Sequence, residues 1–177
     1  MHLYDSYSYQ WREHLEMDLE QFADMIVDNW NSVCTDDTTT VIVGDIGRLC
    51  PNTKQVIHNL RGDKVLVVGN HDTGWGSELY NSELFKGTYY GLNYDNLYVQ
   101  HIPELEPFRR SGATYFIHGH HHRYDEPSMQ TELVKYAKDV YRLNCSADLI
   151  DYTPRTLQEL ILKKELLLDK YRDIGRL

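Results

Sequence analysis

The sequence predicts an α/β fold, and three observations support this prediction. Two short apolar segments, 40–43 and 64–68, each end at a glycine, as buried strands do where a loop follows. A helix-like segment between them completes a strand–helix–strand unit, which is typical of α/β proteins. Polar side chains suited to metals follow several predicted strands, at the edge where open α/β sheets place their sites. With 177 residues, the chain is most simply one domain over 1–177.

The first half of the chain alternates helices and strands. Apolar residues recur at three- and four-residue steps over 15–30, which predicts an amphipathic helix. The strand 40–43 follows, and a second helix begins at Pro51 and ends near Gly62, a residue type that favours helix C-termini. The strand 64–68 completes this half.

The second half continues the pattern with shorter elements. The region 73–96 is rich in glycine, tyrosine and asparagine, and we expect a helix and loops there. A loop with a short helix is expected over 127–138. The final helix begins after Thr153 and Pro154 and extends to about Asp173. Further strands are expected over three segments: 97–100, 113–117 and 140–147.

Composition narrows the classes of function. A formal net charge of −9 argues against an extended nucleic-acid-binding surface. No apolar run approaches the roughly 20 residues that span a bilayer, so we expect no membrane association. Three widely spaced cysteines without a CxxC pair predict reduced thiols and a cytoplasmic location. The leucine-rich segment 157–168 favours core packing, and a homodimer interface remains an alternative.

The segment 116–122 carries the strongest chemical signal, because four of its seven residues are histidines. His120 and His122 are two residues apart, so both can present a ring nitrogen to the same site. Gly119 allows the backbone to turn there. An exposed histidine tract or a tag is the alternative, but a tag lies at a terminus and lacks the preceding apolar strand.

Several short motifs together resemble a known family. In order and spacing they are similar to the successive motifs of the calcineurin-like metallophosphoesterases, in particular the small stand-alone members of bacteria and phages. The similarity covers nearly the whole chain. No single motif is specific, but all of them in order make a strong signal. The motifs are Gly44-Asp45, Gly69-Asn70-His71-Asp72, the isolated His101 and Gly119-His120-His121-His122.

The resemblance implies an αββα sandwich, in which two mixed β-sheets are flanked by helices. It also implies two divalent metal ions at the sheet edge, with Mn²⁺ foremost and Fe, Zn or Ni as alternatives. Asp45 would bridge both metals, and His122 would bind one of them. Asn70, His101 and His120 would complete the ligands of the other. A hydroxide held by the metals would attack phosphorus.

The resemblance also assigns residues that act on the substrate. His71 would act as the general acid toward the leaving oxygen or stabilise charge there, and Asp72 would hold it in orientation. Arg48 follows the Gly-Asp motif and could contact a phosphate oxygen, although a surface arginine is an equal alternative. His121 occupies the variable position of its motif and could reach the substrate or face solvent.

The N-terminus departs from the family pattern. Family members begin with an apolar strand that ends in Asp-x-His, whereas this chain opens with Met1-His2-Leu3. We interpret His2 as the histidine of that motif and a metal ligand. We therefore expect a longer natural chain, truncated here, that supplies the first strand and the aspartate. The alternative is that His2 is a frayed terminal residue without a role.

The expected function is a metal-dependent phosphoesterase. Its substrate would be a small phosphomonoester or phosphodiester, with a nucleotide-type compound suggested by fold-level analogy. The alternative is a degenerate family member that serves as a catalytically weak binding or scaffold module. The retained metal-type residues oppose that alternative, because a scaffold has no physical need for buried polar ligands.

Overall fold

The computed structural model describes residues 1–122 and 141–173, and these form a mixed α/β architecture with two β-sheets and flanking helices. The α/β class predicted from the strand–helix–strand pattern is therefore confirmed. The expected loop and short helix over 127–138 lie outside the described residues.

The first sheet is parallel and contains β1 (Thr39–Val43), β2 (Asp63–Val67) and β3 (Gly87–Tyr89), in that order. The first two agree with the predicted strands. The third lies within 73–96, where we expected a helix and loops. Val43 of β1 is level with Val67 of β2, so the loops that follow these strands begin side by side.

The second sheet contains β4 (Leu92–Tyr94), β5 (Leu97–Gln100), β6 (Tyr115–His118) and β7 (Tyr141–Asn144). The pairing of β4 with β5 is antiparallel, and the other pairs are parallel. The last residues of β5, β6 and β7 share one level of the ladder, which places three strand ends together.

The helices surround these sheets. Within residues 1–122 and 141–173, 3₁₀ segments lie at Gln10–Leu15, His71–Tyr80 and Ala147–Leu149. In the part of the chain described, no helix is both long and apolar enough to cross a bilayer. The α-helices are α1 (Ser6–Tyr9), α2 (Leu19–Val33), α3 (Pro51–Asn59), α4 (Leu105–Ser111) and α5 (Leu157–Asp173).

Two helices begin later than predicted, because of their capping residues. The Asp18 side chain accepts the Gln21 amide hydrogen and the Gln21 side chain accepts that of Asp18, so α2 begins at Leu19 rather than near Leu15. For α5, the backbone amide of Thr156 donates to the Glu159 carboxylate. The Glu159 amide in turn donates to the Thr156 hydroxyl.

The core beneath the first sheet is apolar and almost fully buried. Helix α2 faces it with Phe22, Ile26 and Trp30, which are each 5% exposed or less. Ile42 and Leu66 supply the strand side of this cluster. Burial of each such side chain contributes about 1.5–3 kcal/mol, so the packing holds the sheet, and with it the loops after its strands, in one position.

The N-terminal residues extend the edge of the first sheet beyond β1. The amide of His2 donates to the Asp45 carbonyl and that of Leu3 to the Ile46 carbonyl, each at 2.8 Å. Leu3 forms a parallel bridge with Gly47 and is completely buried. This pairing, rather than a frayed end, brings His2 to the loop after β1.

Candidate metal centre

The candidate centre is organised around Asp45, in the loop after β1. Its carboxylate is buried, and the two oxygens have different surroundings. Oδ1 accepts the backbone N–H of His71 at 3.0 Å. Oδ2 lies 3.0 Å from Nε2 of His101 and 3.5 Å from Nε2 of His2. One oxygen is therefore held by the backbone, and the other faces two imidazole rings.

The side chain of Asp72 joins the loops that carry these groups. Its Oδ2 accepts the amide hydrogens of Asp45 and Gly69, each at 2.8 Å, and its Oδ1 accepts that of Ile46 at 2.9 Å. Asp72 is completely buried. A carboxylate with three backbone donors fixes the loop after β1 against the loop after β2. Among the described residues, no hydrogen bond joins its side chain to His71, which we had expected it to orient.

The same two loops approach each other closely at Gly44 and Gly69. A Cβ atom on Gly44 would lie 2.6 Å from the Gly69 Cα, and Gly44 also has a φ of +72°. A side chain at this position would therefore clash and strain the backbone. The close contact between the two strand ends therefore requires glycine at position 44, just before Asp45.

His101 follows β5 and has its proton position fixed by the backbone. Its Nδ1 lies 2.8 Å from the Val43 carbonyl, which can only accept, so Nδ1 carries the hydrogen. In a neutral ring, Nε2 then has a lone pair. That lone pair faces Asp45 Oδ2 at 3.0 Å and Asn70 Oδ1 at 3.1 Å. Three acceptors that converge in this way require either a cation between them or a second proton on His101.

His120 adds a fourth group to this cluster. Its Nδ1 lies 3.2 Å from Asn70 Oδ1, and its ring meets that of His101 edge-on at 5.3 Å. The ligand atoms of Asp45, His101 and His120 all lie within 4.8 Å of one another, a spacing that allows one metal ion to reach each of them. Burial, followed by the charge of His101, lowers the pKa of His120 and so favours the neutral ring that binds metals.

A second group of acceptors lies on the other side of Asp45. Nε2 of His2 is 3.3 Å from Nε2 of His122. The Ser8 hydroxyl donates to Asp5 at 2.6 Å, so its oxygen accepts from Nδ1 of His2 at 3.2 Å. The proton of His2 therefore lies on Nδ1, and Nε2 has a lone pair. Burial, then the N-terminal ammonium, lowers the pKa of His2 to about 3 and keeps this ring neutral.

His122 is oriented by a carboxylate that the sequence did not identify. Its Nδ1 lies 2.6 Å from Oδ2 of Asp148, which as a carboxylate accepts the hydrogen. Arg12 donates to both oxygens of Asp148, at 2.8 and 3.0 Å, and the Tyr152 hydroxyl donates to Oδ1 at 2.8 Å. The only sequence signal for Asp148 was its position soon after a predicted strand. Its partner Arg12 is 136 residues away, so sequence spacing could not link the two.

The two carboxylates remain ionised for the same physical reason. Burial by itself raises the pKa of each. For Asp45 in the metal-free protein, a second proton on His101 supplies a hydrogen bond and a charge that outweigh burial and hold the pKa well below its usual range. For Asp148, the hydrogen bonds from His122 and Arg12 lower the pKa in the same way.

Three of the candidate ligands have a strained backbone. The φ angles of His2, Asp45 and His120 are 57°, 50° and 71°, in the left-handed region that side chains disfavour. Each such residue costs about 1–3 kcal/mol, and this kind of strain concentrates at functional sites. The surrounding hydrogen bonds stabilise these conformations and direct the three side chains to one place.

The remaining predicted residues lie at the periphery. His71 is exposed, and its ring meets that of His2 edge-on at 5.2 Å. His121 is half-buried with its ring 5.3 Å from that of His120. The Arg48 side chain is exposed, and its backbone amide donates to the Leu3 carbonyl. The structure thus brings His71 and His121 to the rim of the cluster.

An apolar cavity borders the cluster on its inner side. Its volume is about 640 Å³, and it lies along β1. Side chains from α2, such as Ile26 and Trp30, and from the second sheet, such as Val99 and Ile117, line it. The candidate ligands Asp45, His101 and His120 line the same cavity.

Comparisons with known proteins find a similar fold, in a protein whose function is unknown. No protein-family model matches the chain, and no curated protein matches it. The crystal structure of a protein of unknown function from Aquifex aeolicus is similar, with a TM-score of 0.64. Sequence identity is 20%, and the alignment covers 89% of this chain and 92% of that chain. The similarity shows that the arrangement of two sheets and helices occurs in a second protein.

Proposed function

We propose that this chain is a metal-dependent phosphoesterase with the αββα sandwich of the calcineurin-like metallophosphoesterases. Its substrate is a small phosphomonoester or phosphodiester, with nucleotide-type compounds as the class to test first. The proposal rests on the cluster of acceptor atoms around Asp45 Oδ2, together with the family resemblance of the motifs that supply them.

The convergence of imidazole nitrogens on Asp45 Oδ2, which are acceptors when the rings are neutral, is the observation that carries the proposal. On one side, Nε2 of His101 faces this oxygen while its Nδ1 hydrogen is donated to the backbone. On the other side, Nε2 of His2 faces the same oxygen, and its Nδ1 hydrogen is donated to Ser8. Acceptors placed around acceptors repel one another, and divalent cations remove that repulsion.

The residues divide into two groups that share one oxygen. One cation would be held by Asp45, Asn70, His101 and His120, and a second by Asp45, His2 and His122. The mixture of nitrogen and oxygen ligands fits Mn²⁺, Fe²⁺, Zn²⁺ or Ni²⁺. When bound, two such ions lower the pKa of water and neutralise charge on the phosphoryl group.

The chain's own residues supply the remaining functions. Because the His71 amide holds Oδ1 of Asp45, it directs Oδ2 toward the cation positions. The His71 imidazole is exposed beside the His2 ring, where it can donate a proton to the leaving oxygen of the substrate. His121 lies beside His120 at the same rim and is available to contact the substrate.

The net charge of −9 is consistent with a small substrate. A strongly acidic protein repels extended polyanions, and the cations make only one location locally positive. The substrate phosphate therefore enters at the metal centre rather than along a basic surface.

The test is hydrolysis of bis-p-nitrophenyl phosphate and p-nitrophenyl phosphate by the chelator-treated protein, with and without Mn²⁺. We expect hydrolysis that requires the metal and that is lost in His120→Ala. His58→Ala is the matched control, because His58 is exposed on α3 away from the cluster. If Mn²⁺ binds but neither ester is hydrolysed, the enzyme proposal fails and the binding-module alternative is favoured.

A further inference from the structure

We propose that Asp148 is a positioning residue for the metal centre: it fixes which nitrogen of His122 carries the proton and which way the ring faces. This inference rests on the proposed function for its importance. The contact that supports it, however, can be measured in the protein without any metal.

The proton assignment follows from the chemistry of the two partners. The Asp148 carboxylate can only accept, so the hydrogen in the 2.6 Å contact belongs to Nδ1 of His122. The other nitrogen, Nε2, then has its lone pair directed at the neighbourhood of His2. A ring with a hydrogen on Nε2 would present an N–H to the same place, and a ring flipped by 180° would present a C–H, and neither binds a cation.

All the acceptor capacity of Asp148 is used in holding this geometry. Oδ1 accepts from Arg12 Nε and from the Tyr152 hydroxyl. Oδ2 accepts from Arg12 Nη2 and from His122. With two donors on each oxygen, the carboxylate has one orientation, and it transmits that orientation to the imidazole.

The network is anchored in the core rather than in the loop that carries His122. Arg12 is 2% exposed, and its guanidinium lies over the rings of Phe22 and Tyr152, at 5.0 and 5.8 Å from their centroids. Phe22 belongs to α2 and is completely buried. His122 lies beyond the end of β6, where no strand ladder supports it, so the side-chain contact with Asp148 sets its position.

An exchange of Asp148 for asparagine removes the acceptor that faces His122 together with its negative charge. In Asp148→Asn, the size is retained, and the amide oxygen can still accept from Arg12. With its NH₂ group in place of Oδ2, the asparagine donates to Nδ1 of His122, which moves the ring hydrogen to Nε2, and it loses the hydrogen bond that Oδ2 accepts from Arg12 Nη2. We expect the weaker of two Mn²⁺ binding steps to lose about 10- to 100-fold in affinity, as outer partners of metal ligands typically do.

The matched control is Asp151→Asn, three residues away. Asp151 is 73% exposed and contacts Arg155 and Lys163 rather than the cluster. This variant should bind Mn²⁺ as the unmodified chain does. A double variant, Asp148→Asn with His122→Ala, should bind no worse than His122→Ala alone, because Asp148 acts only through that ring.

The decisive experiment is nitrogen NMR of the metal-free protein with isotopically labelled histidine, with the His122 signals assigned from His122→Ala. We expect His122 to carry its hydrogen on Nδ1 in the unmodified chain and on Nε2 in folded Asp148→Asn. A His122 ring with its hydrogen on Nε2 in the unmodified chain would overturn the proposal, and this measurement needs no variant at Asp148. If the tautomer is as expected but no Mn²⁺ binds, the proposed function fails while the positioning contact stands.

Discussion

Nε2 of His101 lies 3.0 Å from Oδ2 of Asp45, and the hydrogen on Nδ1 of the same ring is committed to a backbone carbonyl on its other side. Two residues separated by 56 positions in the sequence thus place a ring nitrogen and a carboxylate oxygen in contact, and both atoms are acceptors when the ring is neutral. A divalent cation or an added proton makes this contact favourable, and the predictions below distinguish these two cases.

Replacement of His101 by alanine should remove tight binding at one of the two cation positions. Loss of an outer partner alone costs about 10- to 100-fold in metal affinity, so loss of a ligand should exceed that range. Titration of chelator-treated protein with Mn²⁺ by calorimetry measures the effect, with His58→Ala as the control. Unchanged affinity in folded His101→Ala would mean that the contact with Asp45 is a protonated ion pair.

Replacement of His71 by alanine should lower turnover without weakening metal binding. The contact of His71 with Asp45 uses its backbone amide, which alanine retains. Loss of a general acid costs about 10²- to 10⁴-fold, and the loss should be larger for an alkyl phosphate ester than for a p-nitrophenyl ester, whose leaving group needs less protonation. Equal losses for both esters would contradict the role of His71 as the acid.

Replacement of Asp72 by asparagine should act mainly on stability. Its carboxylate accepts three backbone N–H groups, and the NH₂ group of asparagine would face at least one of these donors. Because a hydrogen bond to a charged group is worth about 1.5–3 kcal/mol, the free energy of unfolding should fall by at least about 2 kcal/mol. Urea unfolding measures this, with the exposed Asp36→Asn as the control. A variant with normal stability and reduced turnover would instead favour the expected role beside His71.

The metal-free protein should lose stability as the pH falls below about 6.5, in part because of His118. Burial, then the charge of Arg142, lowers the pKa of His118 to about 3 in the folded state. Unfolding therefore takes up a proton between the folded pKa and the unfolded value of 6.5. The free energy of unfolding should therefore decrease as the pH falls from 6.5 to about 3. The stabilisation that the neutral His118 ring contributes is fully present only above pH 6.5.

The slope of that pH dependence provides the measurement. One additional proton bound by the unfolded chain changes stability by about 1.4 kcal/mol per pH unit. Urea unfolding in chelator between about pH 6 and pH 4 should show a smaller slope for His118→Gln than for the unmodified chain. Identical slopes would show that His118 does not contribute to the pH dependence of stability, and so is not held neutral by burial in the folded protein.

The sequence could predict those residues of the site that lie directly after strands. Asp45 and Asn70 follow β1 and β2, and His101 and His120 follow β5 and β6. Since parallel strands in register end at one edge, polar residues after them are brought together whatever the details of the loops. The expectation of a further strand before His2 stays a prediction.

Contacts made by distant side chains could not be predicted in this way. Arg12 and Asp148 belong to two 3₁₀ segments that are far apart in the sequence, and no periodicity encodes their contact. Strands β3 and β4 were also missed, because each has only three residues, which pair with a neighbouring strand through the backbone and leave no alternating apolar pattern. The capping residue Asp18 was visible in the sequence, but the apolar pattern extends one turn beyond it to Leu15.

The most direct test of the central claim is anomalous X-ray diffraction from crystals of the protein equilibrated with Mn²⁺. The account predicts an anomalous peak between Asp45 Oδ2 and His101 Nε2, and a second peak between that oxygen and the Nε2 atoms of His2 and His122. A protein saturated with Mn²⁺ elsewhere, with no peak beside Asp45, would contradict the assignment of this cluster as a metal centre.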